Sequence, residues 1–300
     1  MLLKDFIKEG TTSLSSLYPA EEARSIVLML CEGRLGTRSY THIVEPEYSI
    51  APRKIEVLMG DLERLGQGEP VQYVLGKAMF CDHEFKVSKD VLIPRPETEQ
   101  LCQEAIKEGS MIARRREAFG KSAEPVRILD LCTGSGCIAW TVALGIPGCE
   151  VVGVDISEAA LMVASSQDFS SALKEKGCIA PRFMRADVLD TVNIPFEDGF
   201  DLILANPPYV MESQKAEMRV NVLDFEPCTA LFVPDEDPLL FYRAIALWAG
   251  RLLSPEGRCM VEINDLLSDP TKEAFKAGGL RNIETVQDCF ERNRFILCSR

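Results

Sequence analysis

Asn206-Pro207-Pro208-Tyr209 presents an amide, a backbone carbonyl and an aromatic ring directly after a short apolar run. Neither proline can donate a backbone hydrogen bond, and each disfavours the α conformation in the residue before it, so the segment is predicted to be extended and stiff. The Asn206 side chain and the Pro207 carbonyl then offer two acceptors to a ligand. The alternative interpretation is a strand that ends at its prolines and continues into a surface turn.

Three further candidates follow strand-like runs upstream. The small-residue turn Cys132-Thr133-Gly134-Ser135-Gly136 lets backbone N–H groups approach a ligand closely. Asp155 ends the next strand, where a ribose hydroxyl pair needs an acceptor, and Asp187 follows the third, where a carboxylate could accept from the amine of a base ring. Each acid alone could be a solvated strand-end carboxylate. Their order, with Asn206 after them, indicates one pocket.

Alternating strands and helices after residue 126 must position these residues. The predicted strands are Val126 to Leu131, Glu150 to Asp155, Arg182 to Ala186, Asp201 to Ala205, Gly257 to Ile263, Asn282 to Gln287 and Phe295 to Cys298. The predicted helices between them include Cys137 to Leu144, Glu158 to Lys176 and Pro238 to Leu253. This alternation predicts an α/β fold with a parallel sheet, whose ligands lie beyond the carboxyl ends of the strands.

The first third of the chain has a different pattern. Residues 1–66 show helical periodicity with polar breaks at Thr11 to Ser13 and at Gly33 to Thr37, which predicts a bundle of three to five helices. Val71 to Leu92 alternates and predicts a β-hairpin linker, with Val71, Tyr73 and Leu75 on one face of a strand. A helix is expected to open at Glu97 to Glu99, and a polar loop is expected from Arg114 to Glu124.

Composition excludes several classes of protein. A net charge of −13 argues against a protein held mainly by nucleic-acid phosphates, and no apolar run is long enough for a membrane span. The N-terminus lacks the pattern of a signal peptide. The eleven cysteines include no C-x-x-C, and His42 and His83 lack ligand spacing, so reduced thiols, no bound metal and a cytoplasmic protein are expected.

Together these residues resemble a known family. The order of features is similar to class I S-adenosylmethionine-dependent methyltransferases, and N-P-P-Y resembles the (D/N/S)-P-P-(Y/F/W) motif of members that methylate amino groups. Three longer stretches resemble the PrmC/HemK family of peptide chain release factor glutamine methyltransferases: Gly68 to Tyr73, Val91 to Glu99 and Phe225 to Leu231. The chain departs from the family where Cys132 replaces a glycine, where Val188 replaces an aromatic residue, and where Glu262-Ile263-Asn264-Asp265 lacks a glycine.

The resemblance implies a Rossmann-like catalytic domain with a mostly parallel seven-stranded sheet over residues 98–300. A β-hairpin linker over 67–97 and a substrate-docking helical bundle over 1–66 would precede it. The implied reaction transfers a methyl group from S-adenosyl-L-methionine to the side-chain nitrogen of the glutamine in a release factor's Gly-Gly-Gln loop.

The resemblance also assigns roles to residues. Cofactor contacts are expected from Cys132, Thr133, Gly134, Ser135, Gly136, Asp155, Asp187, Val188 and Asn206. Substrate contacts are expected from Asn206, Pro207, Pro208 and Tyr209. We expect Asn206 and the Pro207 carbonyl to accept the two amide hydrogens and Tyr209 to stack on the amide, with Arg95 and Glu97 at the rim.

Three other functions stay open at this point. They are glutamine methylation of a ribosomal protein, adenine-N6 methylation of nucleic acid, and a non-catalytic adaptor that binds the cofactor. A monomer that binds release factors, without direct contact to nucleic acid or membrane, is expected.

Overall fold

A computed structural model describes residues 1–120, 124–197 and 199–300, and the chain forms two compact units. The first comprises Met1–Lys77 together with Met218–Glu226, and the second comprises Ala78–Glu217 together with Pro227–Arg300. No helix in the described residues is both long enough and apolar enough to cross a membrane.

The elements are numbered in chain order. In the described residues the α-helices are α1 (Leu3–Leu14), α2 (Ala20–Leu35), α3 (Thr41–Val44), α4 (Pro52–Gly66), α5 (Val71–Leu75), α6 (Pro96–Ala118), α7 (Cys137–Gly145), α8 (Glu158–Ser165), α9 (Ser170–Lys176), α10 (Val220–Phe225), α11 (Leu240–Leu252) and α12 (Ser268–Ala277). The strands are β1 (Lys77–Phe80), β2 (His83–Lys86), β3 (Arg127–Leu131), β4 (Glu150–Asp155), β5 (Arg182–Arg185), β6 (Phe200–Ala205), β7 (Val210–Met211), β8 (Phe232–Val233), β9 (Leu253–Glu262), β10 (Arg281–Gln287) and β11 (Asn293–Ser299).

The first unit is a helical bundle around an apolar core. Phe6, Val27 and Leu58 come from α1, α2 and α4 and are fully buried. Arg34 reaches from α2 to α4, where its Nε donates to Asp61 Oδ2 at 2.6 Å. A nearly buried carboxylate that meets an arginine in this way fixes how two helices pack.

Two sequence predictions in this unit are wrong. Thr11 to Ser13 do not break α1, because the Thr11 hydroxyl donates to the Ile7 carbonyl at 2.7 Å and the helix runs on to Leu14. Val71 to Leu75 form α5 and no strand. Tyr73 and Val74 both donate their N–H groups to the Pro70 carbonyl, which closes a helical turn that left-handed Gly76 ends.

The second unit is built on a seven-stranded sheet within the described residues, in the order β10-β11-β9-β6-β3-β4-β5. The pairs from β9 through β5 are parallel, and β11 is antiparallel to both of its neighbours. Leu131, the last residue of β3, pairs with Val154 of β4 and with Ala205 of β6. This register brings Cys132 and Asn206, which follow β3 and β6, and Asp155, the last residue of β4, to one edge of the sheet. The α/β class and mostly parallel sheet are therefore confirmed.

The hairpin predicted after the helical bundle is present as β1 and β2. Cys81 and Asp82 connect the strands, and both have positive φ, 47° and 61°. Two left-handed residues form the tight turn whose twist matches that of the flanking strands.

The prediction of one continuous helix over Glu158 to Lys176 is wrong, because α8 ends at Ser165 and α9 begins at Ser170. Gln167 lies in the break and is buried. It accepts from the Lys86 N–H at 2.8 Å and donates to the Lys86 and Ser135 carbonyls. Three hydrogen bonds to other segments stabilise a non-helical backbone here.

The prediction of a polar loop over Arg114 to Glu124 is also wrong for the first part of that range. Helix α6 continues to Ala118, and Arg116 anchors its end by donating to the buried carboxylate of Asp201 at 2.8 Å and to the Pro125 carbonyl at 2.6 Å. Residues 121–123 lie outside the described residues.

Candidate active site

An open pocket lies at the carboxyl edge of the sheet, with about 940 Å³ of empty space that is partly open to solvent. The predicted site residues that line it are Cys132, Thr133, Gly134, Ser135, Asp155, Asp187, Val188, Asn206 and Pro208. Three others do not line it among the residues described: Gly136, Pro207 and Tyr209. The size and the position suit a small-molecule site at the switch point of an α/β sheet.

The turn after β3 has an unusual backbone. Cys132, Gly134 and Gly136 all have positive φ, at 59°, 53° and 79°. A side chain on Gly134 would meet nothing within 4 Å, whereas a Cβ on Gly136 would lie 3.0 Å from Ala164 and from Phe183. Gly134 therefore leaves open space beside its backbone, and Gly136 allows close packing against the protein.

Cys132 occupies its left-handed conformation without being glycine, which costs about 1–2 kcal/mol. Burial, with the carboxylates of Asp155 and Asp130 nearby, raises the pKa of Cys132 well above its ordinary value. The thiol therefore stays protonated at neutral pH and is no nucleophile.

Asp155 holds the turn in place. Its Oδ2 accepts from the Gly134 N–H and its Oδ1 from the Ser157 N–H, both at 2.9 Å. Burial raises the pKa of Asp155, and these two hydrogen bonds oppose that effect. Each carboxylate oxygen has a second lone pair, so Asp155 can still accept from a ligand hydroxyl.

Beneath the turn, Asp130 is fully buried. Its Oδ2 accepts from the Thr133 hydroxyl at 2.5 Å and from the Ala139 N–H at 3.2 Å, while Oδ1 has no partner among the described residues. Burial raises the pKa of Asp130 to about 7. In the sequence, Asp130 begins the motif that continues with Cys132 and Gly134, but the pattern gives no separate role to a buried carboxylate inside a strand.

At the far side of the pocket, Asp187 is exposed and Val188 is 4% exposed. Asp187 Oδ1 accepts from the Leu189 N–H at 2.9 Å, which orders the turn after β5. Val188 packs in the apolar core that also contains Val154. The pair gives this wall one carboxylate beside an aliphatic surface.

Asn206 is connected to two residues that are remote in sequence. Its Nδ2 donates to Thr98 Oγ1 at 3.1 Å, and the Thr98 hydroxyl donates to Glu262 Oε2 at 2.6 Å. Glu262 is 1% exposed and Thr98 is buried. Asn206 lines the pocket from this anchored position.

Tyr209 is held at both its hydroxyl and its carbonyl. The hydroxyl donates to Glu262 Oε1 at 2.9 Å, and the carbonyl accepts from Asn264 Nδ2 at 3.0 Å. Burial raises the pKa of Tyr209 well above its usual value, and the charge of Glu262 adds a smaller increase. The phenol therefore remains a donor, and Glu262 is hydrogen-bonded to Tyr209 directly and to Asn206 through Thr98.

Of the two residues expected at the rim, Arg95 lines the pocket, and Glu97 is not among its lining residues as far as they are described. Phe241 of α11 and Ile156 line it too and were missed. Ordinary apolar residues carry no signal in a sequence for such a role.

Comparison with known proteins places the chain in a family. Residues 123–292 match the family profile described as "Methyltransferase domain", and residues 5–76 match "PrmC N-terminal domain". The release factor glutamine methyltransferase of Bacteroides thetaiotaomicron is 36% identical over 288 residues, which are 96% of each chain. The chain belongs to the release factor glutamine methyltransferase family. The enzyme of that name from Flavobacterium psychrophilum is 34% identical and covers 99% of this chain and 98% of its own.

A solved release-factor-specific protein-(glutamine-N5) methyltransferase from Alicyclobacillus acidocaldarius is 26% identical. It covers 72% of this chain and 99% of its own, with a TM-score of 0.39, which is too low to add to the assignment.

As a member of the glutamine methyltransferase family, the chain uses S-adenosyl-L-methionine as its methyl donor. The pocket fits this group in two observable respects. Gly134 has a left-handed backbone beside space that a side chain would fill, and Asp155 offers carboxylate lone pairs at the pocket wall. Both features lie in one pocket.

Proposed function

We propose that this protein methylates the side-chain amide nitrogen of the glutamine in the Gly-Gly-Gln loop of a peptide chain release factor. Asn206 carries the proposal. It lines the pocket together with the glycine turn and Asp155, and its Oδ1 accepts no hydrogen bond from the described residues. The Pro207 carbonyl likewise accepts none from them. Asn206 Oδ1 is thus an unused acceptor at the pocket wall, and the Pro207 carbonyl is an unused acceptor on the buried residue next to it.

An amide nitrogen is a poor nucleophile because its lone pair is delocalised into the carbonyl. Asn206 Oδ1 and the Pro207 carbonyl accept its two hydrogens, which favours a pyramidal nitrogen and orients its lone pair. The acceptors also face the positive charge that develops on nitrogen, so they stabilise the transition state more than the ground state. When bound, S-adenosyl-L-methionine would supply an electrophilic methyl group on a sulfonium and would leave as a neutral thioether. The methylated nitrogen would then give up one of its two hydrogens as a proton to solvent.

The remaining residues position these partners. The turn from Cys132 to Gly136 and Asp155 hold the cofactor, and Asp187 with Val188 borders its base. Tyr209 and Pro208 flank the acceptors and help to exclude water, and the first, helical unit docks the release factor. The protein acts as a monomer in the cytoplasm, without direct contact to nucleic acid.

A methylation assay with radiolabelled S-adenosyl-L-methionine tests this function. Purified release factor, ribosomal proteins and DNA are offered separately. Label on the release factor that disappears when its Gly-Gly-Gln glutamine is replaced by alanine supports the proposal. Label on a ribosomal protein or on DNA alone would favour one of the other two activities, and no transfer to any of them would favour a cofactor-binding adaptor.

A further inference from the structure

Glu262 and Thr98 form a buried polar connection to Asn206 that the catalytic roles above do not include. Thr98 is the third residue of α6, Glu262 is the last residue of β9, and Asn206 follows β6. Two consecutive hydrogen bonds join the three side chains: Glu262 to Thr98 at 2.6 Å and Thr98 to Asn206 at 3.1 Å. Thr98 and Glu262 are both almost fully buried, so water cannot readily replace either partner.

The direction of these bonds follows from the chemistry of Glu262. An ionised carboxylate has no hydrogen to donate, so the Thr98 hydroxyl must give its only hydrogen to Oε2. The oxygen of Thr98 can then act only as an acceptor toward Asn206. Only the NH2 group of the Asn206 amide can satisfy it, and this selects one of the two ways in which the amide can be turned.

That selection has a consequence for catalysis. With NH2 turned toward Thr98, the Asn206 Oδ1 is the atom left for a ligand. With the amide turned the other way, the NH2 would face the substrate and would repel the hydrogens of a glutamine amide. The free energy that separates the two arrangements therefore determines whether Asn206 is an acceptor or a donor.

We propose that Thr98 and Glu262 are positioning residues for methyl transfer, which act by holding Asn206 with Oδ1 toward the substrate amide. Glu262 also accepts from the Tyr209 hydroxyl at 2.9 Å, so one carboxylate orients both polar ends of the motif. The inference rests on the proposed function, because it assumes that Asn206 accepts from the glutamine.

The test compares Thr98→Val with Thr98→Ser in the full-length enzyme, with release factor as substrate. Valine keeps the size but cannot accept from Asn206, whereas serine keeps the hydroxyl. We expect kcat to fall about 10- to 100-fold for valine and to stay within about threefold for serine. The dissociation constant for S-adenosyl-L-methionine, measured by calorimetry, should stay within about threefold of wild type in both.

A double variant separates positioning from general damage. If Thr98 acts through Asn206, adding Thr98→Val to Asn206→Ala should lower kcat no further. An additional loss in the double variant, or wild-type kcat in Thr98→Val, overturns the proposal.

If Thr98→Val is misfolded, as the lack of a cooperative thermal transition would show, Glu262→Gln provides a second test of whether the Asn206 amide is held in one orientation. The glutamine amide can donate to Thr98, which frees the Thr98 hydroxyl to donate to Asn206 Oδ1 and permits the reversed arrangement. A fall in kcat of about tenfold supports the proposal, and an unchanged kcat overturns it. Wild-type enzyme that methylates no release factor would instead overturn the proposed function together with this inference.

Discussion

The Tyr209 hydroxyl donates to Glu262 Oε1 at 2.9 Å, across 53 positions of sequence. This bond ties the aromatic end of N-P-P-Y to the end of β9, so the ring position depends on a buried carboxylate. Burial, and to a smaller extent the charge of Glu97, raises the pKa of Glu262. The hydrogen bonds from Thr98 and Tyr209 and the charge of Arg294 lower it. Tyr242 stays protonated because burial, and to a smaller extent the charge of Glu262, raises its pKa.

Tyr209→Phe should therefore change the pH profile of kcat. Removing the hydroxyl takes away a hydrogen bond that favours the ionised form of Glu262, so the pKa of Glu262 should rise further. Because the ionised form is the one that fixes Asn206, the acid limb of kcat should move to higher pH. Steady-state rates from pH 5 to 9 at saturating substrate test this, and a profile that merely scales down at every pH would contradict it.

Gly134→Ala and Gly136→Ala form a matched pair, of which the first should weaken cofactor binding and the second should lower the stability of the fold. Alanine at 134 meets no protein atom within 4 Å and costs about 1 kcal/mol of strain, but it fills space that the cofactor needs, so affinity for S-adenosyl-L-methionine should fall about tenfold. Alanine at 136 meets Ala164 and Phe183 at 3.0 Å and should lower the free energy of unfolding by about 2 kcal/mol or more.

Urea unfolding and calorimetry measure both quantities on both variants. If Gly134→Ala bound the cofactor as tightly as wild type, the role of this turn as a cofactor cradle would be wrong.

Asp130→Asn should change how stability depends on pH. The folded pKa of Asp130 is raised from 3.8 to about 7 by burial, so between these values the folded chain binds more protons than the unfolded chain. Its contribution to stability is complete below pH 3.8 and is lost as the pH rises to about 7, by at most about 4 kcal/mol. Asparagine keeps the shape of the side chain and does not ionise.

The free energy of unfolding of Asp130→Asn, relative to wild type, should therefore increase from pH 5 to pH 8. Urea unfolding of both proteins at the two pH values checks this. Parallel changes in the two proteins would show that Asp130 does not titrate as its burial implies.

The sequence predicted the edge of the sheet well, and physical reasons explain this. Buried parallel strands are apolar along their whole length, so Glu150 to Asp155 was predicted with the bounds that the structure has. Polar residues at the carboxyl ends of such strands must lie at one edge, which is why the sequence alone places Asp155 and Asn206 together.

Contacts between segments that are remote in the chain could not be predicted from the sequence. Thr98 and Glu262 are 164 positions apart, and no spacing rule links a threonine in the first turn of a helix with an acid at a strand end. The break at Gln167 has the same origin, since it depends on bonds to Lys86 and Ser135. The helix at Val71 to Leu75 was missed because alternation over five residues fits a strand and one helical turn alike.

The most direct test of the central claim is the rate of methyl transfer to purified release factor by Asn206→Ala, measured beside its affinity for S-adenosyl-L-methionine. We predict that kcat falls about 100-fold or more and that affinity for the cofactor falls far less, because Asn206 acts on the substrate amide in the transition state. Near-wild-type turnover by Asn206→Ala, with the glutamine of the Gly-Gly-Gln loop still methylated, would contradict it.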